Sequence, residues 1–163
     1  MSPETETQIV ALLKTYNTAV MESASASEDA RQARQTARQI FDQKSFTVIA
    51  PALEAFGKVI RDQGGYDFEV ENDRSSSAIE NEVRLYLSIP KGVERGWRPV
   101  LRFGLDQKSN DIRVRTSVPR GGRKPSVDLG TIPLNDELPE KIEAITRSFL
   151  ATVLHMNTPT LER

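Results

Sequence analysis

Residues 83–89 read Val-Arg-Leu-Tyr-Leu-Ser-Ile, a strict alternation of apolar and polar side chains. Successive side chains of a β-strand point to opposite faces, so this stretch predicts a strand with one buried and one wet face. The same period recurs around it, over residues 66–71, 101–105 and 112–118, and a shorter strand is expected at about 126–131. Clean alternation with turn residues between the runs is typical of a four- or five-stranded antiparallel meander.

Helical periodicity flanks these strands. One face of the segment before them carries Phe46, Ile49, Leu53, Phe56 and Ile60, and Gly64-Gly65 is expected to end that helix. A last helix is predicted from about residue 136 to residue 156. The side chains expected at the centre of the core are Phe46, Leu53, Phe56, Phe68, Leu85, Leu87, Leu101, Phe103, Val114, Ile145 and Phe149.

The first 42 residues also show helical spacing. Their apolar and small positions recur every three or four residues without losing phase, at Ile9, Leu12, Tyr16, Ala19, Ser23, Ala26, Ala30, Ala33, Ala37 and Ile40. One helix of about 38 residues fits this pattern. A hairpin broken near residues 23–27 also fits, because Ser25-Ala26-Ser27-Glu28 has the form of a capping box. The phase breaks at residues 42–45.

The middle of this seam is narrow. Arginine and glutamine flank it at residues 31–39, which leaves little apolar width for covering a sheet. A narrow stripe of small residues suits pairing between helices better. Ala26, Ala30, Ala33 and Ala37 are therefore the candidate interface with another subunit or a partner protein, although packing within the monomer would also explain them.

Together these patterns predict an α+β fold, with helices packed on one face of the antiparallel sheet. A chain of 163 residues fits a single domain. Its expected parts are a helical arm or hairpin at 1–42, a helix at 46–63, the sheet at 66–132 and a C-terminal helix at 136–156.

Charge is segregated along the chain. Residues 83–124 carry 11 basic and 3 acidic side chains, whereas the whole chain has a net charge of −1. Residues 66–82, just before them, carry 1 basic and 6 acidic side chains. A basic block in a slightly acidic chain indicates a surface for an anionic ligand or partner.

The polar positions of the predicted strands place part of this block on the wet face of the sheet. The candidate anion- or partner-binding residues there are Arg84, Tyr86, Arg102, Arg113 and Arg115. Pairing with the acidic strand would explain Arg84, but no carboxylates are assigned beside Arg102, Arg113 and Arg115. The segment from Pro119 to Pro125 adds Arg120, Arg123 and Lys124, and Trp97 adds an aromatic ring for stacking or for anchoring a protein interface.

Several classes of site are not expected. The chain has no cysteine, which excludes disulfides, thiolate zinc sites and a cysteine nucleophile. Its single histidine, His155, lies in the last predicted helix beside apolar residues, and no Gly-x-Ser-x-Gly or phosphate-binding glycine motif occurs. We therefore expect no catalytic residues, no metal site and no cofactor.

Location and function follow from these observations as expectations. No apolar run approaches the ~20 residues of a membrane helix, and no secretory signal is evident, so we expect no membrane association and a cytoplasmic protein. The first functional hypothesis is a non-catalytic interaction or assembly domain that forms a homo-oligomer or docks through its N-terminal helix. The alternative is nucleic-acid or polyanion binding by residues 84–124.

Overall fold

The computed structural model describes residues 2–73, 81–106 and 108–158. The chain separates into two compact units, Met1–Thr36 and Ala37–Arg163. The first unit holds most of one long helix. The second holds the end of that helix, a five-stranded sheet and two further helices.

Helix α1 (Pro3–Lys44) runs for 42 residues without interruption. Of the two structures that fit the sequence pattern, one helix is therefore correct and the hairpin is not. The Ser2 hydroxyl caps the helix start by accepting a hydrogen bond from the Thr5 N–H at 3.3 Å. Ser25 and Ser27 lie within the helix, where a serine costs less than about 0.7 kcal/mol relative to alanine, too little to break it.

A π-helical turn follows α1 directly. Ser45–Ile49 form this turn, and helix α2 (Ala50–Gly64) continues from it. The helices expected at 1–42 and 46–63 are therefore joined without a gap, and the predicted loss of phase at residues 42–45 lies where the helix changes its period. Pro51 gives the physical reason: it has no N–H for the preceding turn and its ring crowds the carbonyl four residues earlier, which a widened turn accommodates.

Phe46 was predicted in the core, and the structure contradicts this: its side chain is 49% exposed. Buried positions of the continuous helix recur every four residues, at Ala37, Phe41, Ser45, Ile49 and Leu53. Four residues overshoot an α-helical turn by about 40°, and the π turn offsets part of this drift. Ser45 thereby takes the inward position, where its hydroxyl donates to the Asp42 carbonyl at 2.8 Å.

The sheet is an antiparallel meander in which neighbours in sequence are neighbours in space. Its strands are β1 (Phe68–Asp73), β2 (Glu82–Leu87), β3 (Val100–Leu105), β4 (Ile112–Ser117) and β5 (Ser126–Ile132). This confirms the topology expected from the alternating pattern. Helix α2 ends at Gly64, and Gly65 caps it. The positive φ of Gly65, 67°, lets its N–H bond to the Arg61 carbonyl.

Helices α2 and α3 (Leu138–Asn157) pack on the apolar face of the sheet, which confirms the predicted α+β class. The predicted core residues that are buried are Leu53, Leu85, Leu87, Leu101, Phe103, Val114 and Phe149, while Phe56, Phe68 and Ile145 are partly buried against them. The opposite face of the sheet carries the charged side chains of the basic block.

Candidate functional site

The part of α1 within the first unit exposes many large apolar side chains. Leu12 is 71% exposed, Tyr16 is 66% exposed and Met21 is 73% exposed. The complete set on this stretch is Ile9, Val10, Leu12, Leu13, Tyr16, Val20 and Met21. A helix gains most of its stability in proteins by burying an apolar face, so the face that carries Ile9, Leu12 and Tyr16 resembles one half of a helix–helix interface.

The small residues of the seam fall into two groups. Ala26, Ala30 and Ala33 are exposed, as an intermolecular interface requires. Ala37 is only 8% exposed and belongs to the core of the second unit, so its assignment to an intermolecular interface is corrected. The α1 seam, which we define as the exposed positions 9, 12, 16, 19, 23, 26, 30 and 33, therefore ends at Ala33.

On the wet face of the sheet, the acidic strand β1 neutralises the nearest arginines. Arg84 forms ion pairs with Glu71, Asp73 and Glu82 at 3.5, 3.2 and 2.9 Å. Burial opposes its charge, but the hydrogen bond to Glu82 and the surrounding negative groups outweigh that effect and raise the pKa of Arg84. These contacts make Arg84 part of a cross-strand ion-pair network.

Tyr86 belongs to the same acidic side of the face. Its hydroxyl lies 3.4 Å from the Glu71 carboxylate, and the Arg95 guanidinium stacks over its ring at 5.2 Å. Arg95 also pairs with Glu69 at 3.3 Å and with Glu71 at 3.2 Å. The local charges around Tyr86 are therefore balanced.

Arg113 was expected to lack carboxylate neighbours, and the structure corrects this. Its guanidinium contacts Asp106 at 2.8 Å and Asp128 at 2.6 Å. Asp128 reaches Arg113 beside a β-bulge, where the register of β4 and β5 shifts and Gly130 takes a φ of 92°. The sequence pattern did not reveal these partners because one lies beyond the end of β3 and the other on a different strand.

The carboxylate of Asp106 is fixed by hydrogen bonds from the loop that follows it. It accepts hydrogen bonds from the backbone N–H groups of Ser109 at 2.8 Å and Lys108 at 3.1 Å, and from the Ser109 hydroxyl at 2.9 Å. These bonds, led by the one from the Ser109 backbone, together with Arg113, hold the pKa of Asp106 well below its usual range. Arg113 is thus held by a carboxylate that stays ionised at neutral pH.

Arg102 and Arg115 differ from the other arginines on this face. They lie directly opposite one another on β3 and β4, and within the described ranges neither has a carboxylate at salt-bridge distance. Arg102 has only a long hydrogen bond to the Ser117 hydroxyl, at 3.5 Å. Like charges at directly opposed positions oppose folding, so an anion bound here would relieve that repulsion.

Lys124 adds a third positive charge to this pair. Burial lowers the pKa of Lys124, and the positive charge of Arg102 lowers it further. The Lys124 ammonium donates to the Gly96 carbonyl at 3.0 Å, beside Trp97, whose ring is 44% exposed. We call Arg102, Arg115 and Lys124 the cation cluster.

Two more cations lie at the hairpin end that follows β4. Arg120 and Arg123 pair with each other through their backbones across Gly121 and Gly122, which both have positive φ. This is the geometry of a tight two-residue hairpin turn, and both arginine side chains are exposed. The turn thus presents its charges to solvent on a short, defined backbone.

Comparisons with known proteins give no family assignment: no family model, curated protein or solved structure matches the chain. Within residues 2–73, 81–106 and 108–158, no three or more metal-ligating side chains cluster. In the same ranges, no helix combines the length and the apolar character needed to cross a bilayer.

Proposed function

We propose that this protein is an interaction and assembly domain that self-associates through the exposed face of α1. The observation that carries the proposal is the exposure of large apolar side chains on one face of this helix, above all Leu12 and Tyr16. Exposed apolar surface on this scale marks an interaction site in most proteins. The second unit has its own core between helices and sheet, and the seam residues of α1 before Ala37 are exposed.

Burial of the exposed seam residues would favour pairing. Burying one leucine contributes about 1.5–3 kcal/mol, and a symmetric pair buries each seam residue twice. In a symmetric pair, placing a charge at Leu12 removes that contribution at two sites. The expected loss of about 3–6 kcal/mol corresponds to a dissociation constant raised by a factor of about one hundred to ten thousand.

The first prediction is that Leu12→Glu dissociates the assembly. Light scattering over a concentration series measures the change in mass for the full chain and for this variant. Thr18→Glu is the matched control, because it places the same charge on the same helix away from the seam. A full chain that scatters as a monomer at every concentration, with no partner recovered, would refute the proposal.

A second candidate function is the binding of a polyanion such as nucleic acid at the cation cluster. The opposed pair Arg102 and Arg115, which forms no salt bridge among the described residues, favours it, together with Lys124 and the exposed Trp97. Arginine contacts to phosphate release counterions, so such binding weakens steeply with salt. The exposed cations of the Arg120–Arg123 turn would extend the same surface.

The second prediction tests this surface with single-stranded and duplex oligonucleotides. Arg102→Gln with Arg115→Gln should weaken binding and reduce the slope of log affinity against log salt by about 1 for each arginine that contacts phosphate. The control, Arg147→Gln, removes an exposed charge on α3 that pairs with Glu143. If the wild-type chain gives no shift at low salt, this second function is ruled out.

A further inference from the structure

The two halves of the α1 seam differ in side-chain size. Its first half carries Ile9, Leu12 and Tyr16, and its second half carries Ala26, Ala30 and Ala33. All six side chains are exposed. A pairing partner must therefore accommodate bulky side chains at one end of the seam and a close backbone approach at the other.

Side-chain size constrains the direction of pairing. Helix axes pack about 8–10 Å apart, depending on the side chains at the contact. A parallel pair would set large residues against large ones and alanines against alanines, so its axes would have to diverge. An antiparallel pair sets large side chains against small ones towards both ends and small against small only at its centre, so the separation of the axes varies less than in a parallel pair.

We propose that α1 pairs with α1 of a second copy in antiparallel orientation, in the register that places Leu12 beside Ala30. This inference rests on the proposed function and adds the partner, the direction and the register. The remaining layers set Ile9 beside Ala33, Tyr16 beside Ala26 and Ala19 beside Ser23 of the second copy. By symmetry every layer occurs twice.

Neighbouring registers cover the seam less well. Moving the pair by seven residues in one direction would require Ala37, which lies in the core of the second unit. Moving it by seven residues in the other direction would leave Ala30 and Ala33 uncovered. The proposed register is thus the one that covers the entire exposed seam.

Charge complementarity supports the same arrangement. Glu6 and Arg34 flank the seam at equivalent heptad positions, and this register brings Glu6 of each copy beside Arg34 of the other. Antiparallel helices also place opposite ends of their dipoles together. Only Glu22 is unfavourably placed, because it meets its own symmetry mate near the centre of the pair.

The third prediction uses cysteine crosslinking, because the chain has no cysteine of its own. Full-length Leu12→Cys and Ala30→Cys are mixed, equilibrated and oxidised. The antiparallel register predicts a disulfide between the two different variants. A parallel pair predicts disulfides within each variant instead, because the positions lie about 27 Å apart along a helix, far beyond disulfide reach. Thr18→Cys replaces Ala30→Cys in the control mixture and should not crosslink.

Glu22→Gln provides a second readout. It should tighten the antiparallel pair by removing the contact between two carboxylates, whereas in a parallel pair Glu22 lies beside Ser27 and the affinity should not change. Disulfides within each variant, or a dimer that crosslinks in neither way, would overturn this inference while leaving self-association intact. A monomer by light scattering would overturn both proposals.

Discussion

At the scale of single residues, the arginines of the wet face have different roles although the sequence presents them alike. Arg84 and Arg113 are bound by carboxylates on neighbouring elements, which makes them structural. Arg102 and Arg115 face each other without such partners in the described ranges. Like charges at directly opposed positions are unfavourable, so this pair would gain from a bound anion, although Asp128 lies opposite Arg115 on β5.

The fourth prediction concerns the ionised state of Asp106. Its pKa is lowered in the folded protein, so it contributes stability that is fully present above its unfolded pKa of about 3.9 and is lost as pH falls toward the folded value. Asp106→Asn should therefore be less stable than the wild type at pH 7, as judged by the urea midpoint. The difference between the two proteins should shrink as pH falls below about 4.

A neutral control for that comparison is Asp111→Asn, in the same loop. An Asp106→Asn variant whose deficit stays constant from neutral to strongly acidic pH would show that the carboxylate is not held in its ionised form. The same result would weaken the assignment of Arg113 as a structural residue.

At the scale of elements, close packing fixes how α2 meets β1. Gly57 is buried in α2, and a Cβ atom built there would lie 2.2 Å from a ring carbon of Phe68. This ring also receives the Arg61 guanidinium at 4.6 Å from its centroid. Glycine is thus required by the approach of an aromatic ring to the helix, not by the backbone conformation.

The fifth prediction is that Gly57→Ala destabilises the protein despite the better helix propensity of alanine. Overpacking costs about 1–3 kcal/mol, against a propensity gain of up to about 1 kcal/mol, so the net loss should reach about 2 kcal/mol. Chemical unfolding measures it, with Lys58→Ala as the exposed control on the same helix.

A double-mutant cycle identifies the cause of that loss. In a Phe68→Ala background the space beside residue 57 is open, so Gly57→Ala should no longer destabilise and the two changes should be strongly non-additive. Equal costs of Gly57→Ala in both backgrounds would mean that the ring is not what excludes a side chain.

At the scale of the whole molecule, the residues of the core and those of the proposed interaction surfaces are different. Among the described residues, the buried core begins at Ala37 and lies between the apolar face of the sheet and the helices of the second unit. The wet face of the sheet carries the cation cluster, and the first unit carries the α1 seam. A change on the seam should therefore alter the state of association without loss of the core. Leu12→Glu thus tests association separately from folding.

Much of this fold follows from local patterns in the sequence. The alternation in residues 83–89 and its counterparts determines the strands, and the intervening turns determine their antiparallel order. The spacing of small residues predicts helix in the first 42 residues, and the structure decides for one continuous α1 over a hairpin. These features are predictable because neighbours in the chain decide them. The small-residue seam and the basic block are visible in the same way.

The tertiary structure alone decided which groups the side chains in those patterns contact. Arg113 meets Asp106 and Asp128, Ala37 joins the core, and the π turn directs Ser45 inward and Phe46 outward. Each outcome depends on groups that are distant in sequence, or on a helical period that Pro51 disturbs. Periodicity identifies the face on which a residue lies, whereas the approach of other elements determines what that residue meets there.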